Sequence, residues 1–438
     1  MASSSPAINR AVTVLQVGFI TLLAYVPFHA FSYVVLGSNF GFIEWFKIVP
    51  SLLIGLLTPV ALWVFMRDAP TRKTLSSRLI NWLALGYVVL HTIIAAWKQP
   101  EASALIAGLM INLRLIAVLL LGQLIALYKN DKRTLAHISL AVIVPAIVTT
   151  LFGVLQLAVL PADFLRHFGY GSDTVRPFTA LHQGSSVIRV SSTLRGPNPF
   201  GAYLVLVISL LVTQIIRLRQ RNAWIVFLSI STVAIIGTFS RSAWVALAIA
   251  IGFHIILTGT PRQRNRVIIG MAMSGIVLFS GVLVFQRNSV IQNAVFHTDT
   301  NNNTVNSNQG HIAALEAAVD EVVEAPLGSG PGSAGPASVH LEKSPPRIAE
   351  NYYAQIAQEV GVIGLALFLA MFGLLIRQLL RNAKAPWPSA LLVSGLGLAA
   401  ASMLLHVWAD DTLGIIWWGL AGYFAYLPIS KQPKRIYG

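Results

Sequence analysis

Two arginines sit at the mouths of apolar runs, and their surroundings suit anion chemistry. The stretch SSTLRGPNPFGAY at 191–203 places Arg195 in a turn of prolines and glycines just before a run long enough to cross a bilayer. A guanidinium is costly at a membrane boundary unless paired, yet its fork of donors matches phosphate better than a lysine does. Gly196, Pro197, Pro199 and Gly201 predict a tight turn with backbone amides open at the start of the next helix, an anion-binding arrangement. The plainer reading is contact with lipid headgroups. Arg241, in FSRSAW at 239–244, lies in a hairpin too short to tether a headgroup contact and favours the anion site.

A third stretch, RIAENYYAQIAQEVGVIG at 347–364, carries two carboxylates into another apolar run. At about 100° per residue, Tyr352, Gln355 and Glu359 share a face, with Glu350 at the opening on roughly the opposite side. Glu350 is a candidate proton acceptor; helix capping is its structural alternative. Glu359 could simply satisfy a neighbouring helix. The glycine pattern of PLGSGPGSAGPAS at 326–338 lacks the lysine and preceding strand of a nucleotide loop, and predicts a flexible or tightly turning loop over an outer cavity. His297, His311 and His340 have no ligand-like spacing, so no metal site is expected. Arg114 falls mid-membrane, a functional candidate that pairing with backbone carbonyls would equally explain.

The elements that must position these residues are membrane helices. The chain has 438 residues, 55% hydrophobic and 11% charged; a soluble chain carries about 25% charge. Its net charge of +15 reflects loops that obey the positive-inside bias, so no nucleic-acid partner is expected. The absence of cysteine excludes disulfides, thiolate metal sites and cysteine nucleophiles. MASSSPAINR has no cleavable-signal pattern, so the apolar run behind it should stay in the membrane.

Apolar windows predict an all-α polytopic membrane protein of about twelve transmembrane helices, as one integral domain over 1–438. The spans are 12–36, 48–66, 79–97, 103–128, 135–160, 199–216, 223–240, 242–259, 267–286, 350–376, 388–407 and 412–429. With both termini cytoplasmic, most of the 31 lysines and arginines fall in inner segments. That topology puts 161–198, a first extracytoplasmic loop, and 287–349, a large loop between helices nine and ten, on the outer face. Within the latter, His311 to Glu324 carries Ile312, Leu315, Val319 and Val322 on one stripe and Glu316, Asp320 and Glu324 on another, an amphipathic helix for the outer membrane surface. The tract TDTNNNTVNSNQG before it reads as a linker.

Taken in this order, LRGPNPFGAYL, TFSRSAWVAL, PLGSGPG and ENYYAQIAQEVGVIG resemble the motifs of the bacterial O-antigen ligase and O-antigen polymerase superfamily, over roughly residues 190–370. The resemblance implies a metal-independent, cofactor-free glycosyltransferase in the bacterial cytoplasmic (inner) membrane, its active site facing outward. The donor would be a glycan on undecaprenyl diphosphate, and the acceptor a hydroxyl of a glycan or lipid. Carried onto this chain, Arg195 and Arg241 would bind and neutralise the diphosphate. Asn198, Asn351, Tyr353, His311, Arg347 and Arg114 would line the substrate site among membrane lipids. Ligases of the family have histidine where this chain has Glu350, and many members have arginine where it has His311. A carboxylate can accept the hydroxyl proton, so Glu350 becomes the expected base. Polymerase chemistry, or a flippase that moves the lipid-linked glycan without breaking a bond, are the other readings.

Overall fold

The computed structural model describes residues 5–181, 187–217, 222–262, 265 and 307–427. The predicted span 267–286, residues 298–306 of the linker tract and the basic carboxy-terminal segment with Lys431, Lys434 and Arg435 lie outside the described residues, while the last four residues of that tract, 307–310, are helical and not linker. Each predicted span that falls inside the described residues is largely helical. Eight stretches among the described residues are long and apolar enough to cross a membrane.

The chain opens with α1 (Pro6–Tyr25), started by Ser5, whose side chain accepts from the Ile8 amide at 3.3 Å. The single span expected at 12–36 is broken: Pro27 has no N–H, a 3-10 turn covers Val26–Phe28, and α2 (His29–Phe40) resumes beyond it. The exposed carbonyls are taken from afar, Val26 by the Thr412 hydroxyl at 3.1 Å and Pro27 by that of Thr193 at 2.8 Å. The break thus ties α1 to both ends of the later sequence.

Next come α3 (Ile43–Lys47), α4 (Val49–Arg67), the short α5 (Ala69–Ser76), α6 (Leu79–Lys98), α7 (Ala102–Tyr128) and α8 (Lys132–Ala158). Asp68 and Asp131 cap α5 and α8 by accepting from Thr71 and Thr134 amides. A small hairpin, β1 (Thr179–Ala180) and β2 (Ile188–Arg189), precedes α9 (Pro197–Arg217), α10 (Asn222–Gly237) and α11 (Arg241–Thr258). Then follow α12 (Ser307–Glu324), α13 (Tyr352–Arg381), α14 (Pro386–Ala401) and α15 (Asp411–Ala425). Helix α14 ends at Ala401 instead of running to 407, and 402–410 forms a connecting segment.

Helix α15 is the hub, with Trp417, Trp418 and Leu420 fully buried. It lies close against α7: a Cβ on Gly122 would come within 2.3 Å of the Gly419 carbonyl oxygen, so only glycine permits that approach. Helix α9 is likewise enclosed, against α10, α11 and α14. Leu56, Trp82, Ile93, Val233 and Ile236 point outward, as expected where lipid supplies the apolar surroundings. Helix α12 begins before the predicted stretch, buries Ala318 and packs on α13, leaving Ile312, Leu315 and Val319 exposed.

Candidate active site

The three arginine- and carboxylate-bearing motifs converge at one end of the bundle because their turns are tied together. Ser192 starts the first. Its backbone is left-handed (φ 53°), its amide donates to Gln156 Oε1 at 2.8 Å and its hydroxyl to the Thr149 carbonyl at 2.5 Å. Thr193 accepts at its carbonyl from the Phe31 amide at 3.2 Å. With 192 and 193 so fixed, Arg195 projects from the following turn, its side chain 51% exposed. Its guanidinium reaches Asp410, Nη2 to Oδ2, at 3.5 Å.

The row of open amides expected at the start of α9 is thinned. Pro197 and Pro199 bring no N–H, and the Phe200 amide closes on the Gly196 carbonyl at 3.1 Å. An anion here would be held mainly by side chains.

Those side chains include one that sequence reading passed over. Arg189 donates through Nε to the Thr238 carbonyl at 3.0 Å and through Nη2 to Asn198 Oδ1 at 2.6 Å. It thereby joins the turn before α9 to the turn before α11. The helices confirm the join: a Cβ on Gly201 would meet Ala243 Cβ at 2.8 Å, so the two motif segments pack directly. Burial and then the charge of Arg241 push the Arg189 pKa down.

Asp410 and Asp411 form the second missed feature. Asp410 Oδ1 caps α15, accepting from the Thr412 and Leu413 amides at 2.9 and 3.2 Å, while Oδ2 faces Arg195. Asp411 receives Arg114 Nη1 on one oxygen and lies 3.2 Å from His29 Nδ1 on the other. Arg114 Nη2 donates to the Ala409 carbonyl. Arg114 thus pairs with a backbone carbonyl, as the plainer of its two readings had it, and with a carboxylate too. The signal was present as paired acids just before an apolar run, a helix-start pattern.

Glu350 sits immediately outside α13, in left-handed backbone (φ 48°) and partly buried. Capping falls to Asn351, whose Oδ1 accepts from the Tyr353 and Ala354 amides at 3.0 Å each. Its Nδ2 donates to the Met403 carbonyl at 3.1 Å, and the Tyr352 amide to that of Ser402 at 2.9 Å. Tyr353 donates its hydroxyl to the Ala399 carbonyl at 2.7 Å. Asn351 and Tyr353 thus bolt the start of α13 to the end of α14 and hold Glu350 in place. Among the described residues, Gln99, Ser192, Phe239 and Glu350 are the non-glycine residues with positive φ, and all but Gln99 fall in the three motifs. Such strain, of order 1–3 kcal/mol each, persists where surroundings over-determine it.

Glu359 is fully buried and serves the glycine-rich loop. It accepts from Asn112 Nδ2 and from the Gly332 amide, the latter at 3.0 Å. Helix α13 breaks at Val360 and Gly361 (φ 72°). The Val362 amide, which an unbroken helix would give to Gln358, goes to the Pro326 carbonyl at 3.0 Å. The Gln358 and Glu359 carbonyls accept instead from Ser329 and Gly330 amides at 2.7 and 2.9 Å. At Gly332 (φ 85°) a Cβ would lie 2.0 Å from the Ala104 carbonyl. Of the two expected loops, flexible or tightly turning, the second is present, and it is wedged into the bundle.

Arg347 lies 3.6 Å from Glu321 of α12, which also accepts from Gln358 at 2.7 Å. His311 is in α12, but its side chain lies outside the described residues, as does His297. The structure therefore brings Arg195 and Arg114 together through Asp410 and Asp411, and joins Asn198 through Arg189 to the turn that precedes Arg241.

Residues 226–369 match the O-antigen ligase family. The match spans α10 to the first half of α13 and includes FSRSAW, PLGSGPG and ENYY. No curated protein matches the chain. The match supports the superfamily resemblance read from the motifs, and the apolar helices suit a membrane protein.

Proposed function

From the O-antigen ligase domain at 226–369 as premise, we propose that the protein transfers a glycan from undecaprenyl diphosphate to an acceptor hydroxyl on the outer face of a bacterial cytoplasmic membrane. One observation carries the reading. Two cation-bearing turns and one strained carboxylate turn are bound to each other at the same end of the bundle, the Arg195 turn through Asp410 and the Glu350 turn through Ser402 and Met403 of the same connecting segment.

In the proposed step the acceptor oxygen attacks the anomeric carbon and its proton passes to Glu350. The carbon–oxygen bond to the diphosphate breaks, and the electron pair leaves on the diphosphate. Arg195 and Arg241 neutralise that charge, without a metal, by electrostatic stabilisation of the leaving group. Asn351 and Tyr353 act by positioning Glu350, and Asn198 by positioning the arginines. Arg347 and His311 would lie on the acceptor side, where α12 meets the start of α13.

A flippase would need cations at mid-depth available from both sides. Arg114, the deep candidate, is instead 5% exposed and engaged by Asp411 and Ala409, which favours transfer. Incubating purified protein with lipid-linked glycan and a panel of acceptors tests the proposal. Product on a non-glycan or lipid acceptor supports the ligase, and lengthening of the lipid-linked glycan alone supports a polymerase. Absence of any product, with glycolipid translocation in vesicles, would replace both with the flippase.

A further inference from the structure

We propose that Arg189 contacts the donor, forming with Arg241 the guanidinium pair that receives a diphosphate ester; this rests on the glycosyl-transfer reading above. The observation is an imbalance of partners. Arg195, Arg114 and Arg347 each face a carboxylate: Asp410, Asp411 and Glu321. Arg189, partly buried, has only neutral partners among the described residues, the Thr238 carbonyl and the Asn198 amide oxygen.

A partly buried guanidinium whose described partners are all neutral is a costly arrangement that an arriving anion would relieve. A guanidinium has five N–H donors, of which the two contacts among the described residues use one on Nε and one on Nη2. Three remain, enough for the two-pronged contact that phosphate oxygens accept. The mount is rigid: Val190, next along the strand, donates its amide to the Gly237 carbonyl at 3.0 Å, laying the strand along the α10–α11 turn. Arg189 is therefore held by backbone at the very turn that carries Arg241 and by Asn198 from the turn that carries Arg195. No family motif quoted above includes it.

Binding of undecaprenyl diphosphate to the full chain in nanodiscs, with inorganic pyrophosphate as competitor, tests this directly. Wild type should bind the lipid, and pyrophosphate should displace it. Arg189→Gln should weaken binding about tenfold or more, as loss of a charged hydrogen-bonding partner does. Asn198→Asp separates function from scaffolding: it keeps the hydrogen bond and adds an ion pair to Arg189. Its melting temperature should equal or exceed wild type while its affinity falls comparably. Wild-type affinity in Asn198→Asp, or in a folded Arg189→Gln, would overturn the assignment and leave Arg189 as a brace between turns. Undetectable binding to wild type itself would instead reject the donor reading, and this proposal with it.

Discussion

Asp410 divides its two carboxylate oxygens between tasks: Oδ1 caps α15 and Oδ2 lies 3.5 Å from Arg195 Nη2. A residue that starts the hub helix thus also sets where a candidate donor-binding arginine points. Lysine cannot reproduce that reach or a two-pronged contact with phosphate. Arg195→Lys and Arg241→Lys should each lower turnover roughly 10- to 100-fold, the equivalent of a charged hydrogen bond. Arg133→Lys, at an exposed position on α8, should leave it unchanged. Initial rates with a lipid-linked donor measure this, and near-wild-type rates in both site variants would remove the clamp.

Glu350→Gln should lose roughly 10²- to 10⁴-fold of turnover, the range general base catalysis contributes, while donor affinity holds. Glu350→His should regain part of it with a pH optimum moved toward the histidine range. The left-handed backbone at Glu350 is set by Asn351, Ser402 and Met403, so neither change should disturb the fold. Full activity in Glu350→Gln would take the base role away from this residue.

Asp411→Ala should destabilise the protein strongly. It strands Arg114, 5% exposed, and leaves His29 without its carboxylate. Removing one partner of a buried ion pair costs about 3–5 kcal/mol. Asp411→Ala combined with Arg114→Leu should recover much of that loss in thermal unfolding. An additive double variant would show that the two residues do not act as a pair.

His406, in the segment linking α14 to α15, has its pKa lowered to about 4 by burial, with the Arg195 charge adding to the effect. The unfolded chain takes up the proton near the ordinary histidine value of about 6.5, so unfolding binds protons and stability falls as pH drops from there toward 4. Above about 6.5 both states are neutral and the contribution vanishes. Melting temperature against pH should therefore slope less in His406→Gln over that window. An unchanged slope would place the acid sensitivity elsewhere.

Most helices were legible in the sequence because a bilayer forces about 20 apolar residues into each span, and that run is local. Pro27 was legible as a residue but not as a break, since its exposed carbonyls are rescued by Thr193 and Thr412, far along the chain. Arg195, Arg241 and Glu350 stood out as polar residues beside apolar runs. Asp410 and Asp411 stood beside one too, and their meaning depends on partners at 195, 114 and 29 that no window contains. Arg189 was hidden further, in a polar loop where one more arginine is ordinary. Glu359 shows the opposite case: its burial was readable, but its service to a glycine-rich loop depends on the break at Val360 and Gly361.

The most direct measurement follows both products of one reaction in proteoliposomes carrying wild-type protein, labelled undecaprenyl-diphosphate glycan and an acceptor supplied on the outer face. Bond transfer at the arginine and Glu350 turns predicts one undecaprenyl diphosphate released per glycan joined to the acceptor, with both signals lost together in Glu350→Gln. Movement of intact glycolipid across the bilayer, with no diphosphate released, would contradict the account.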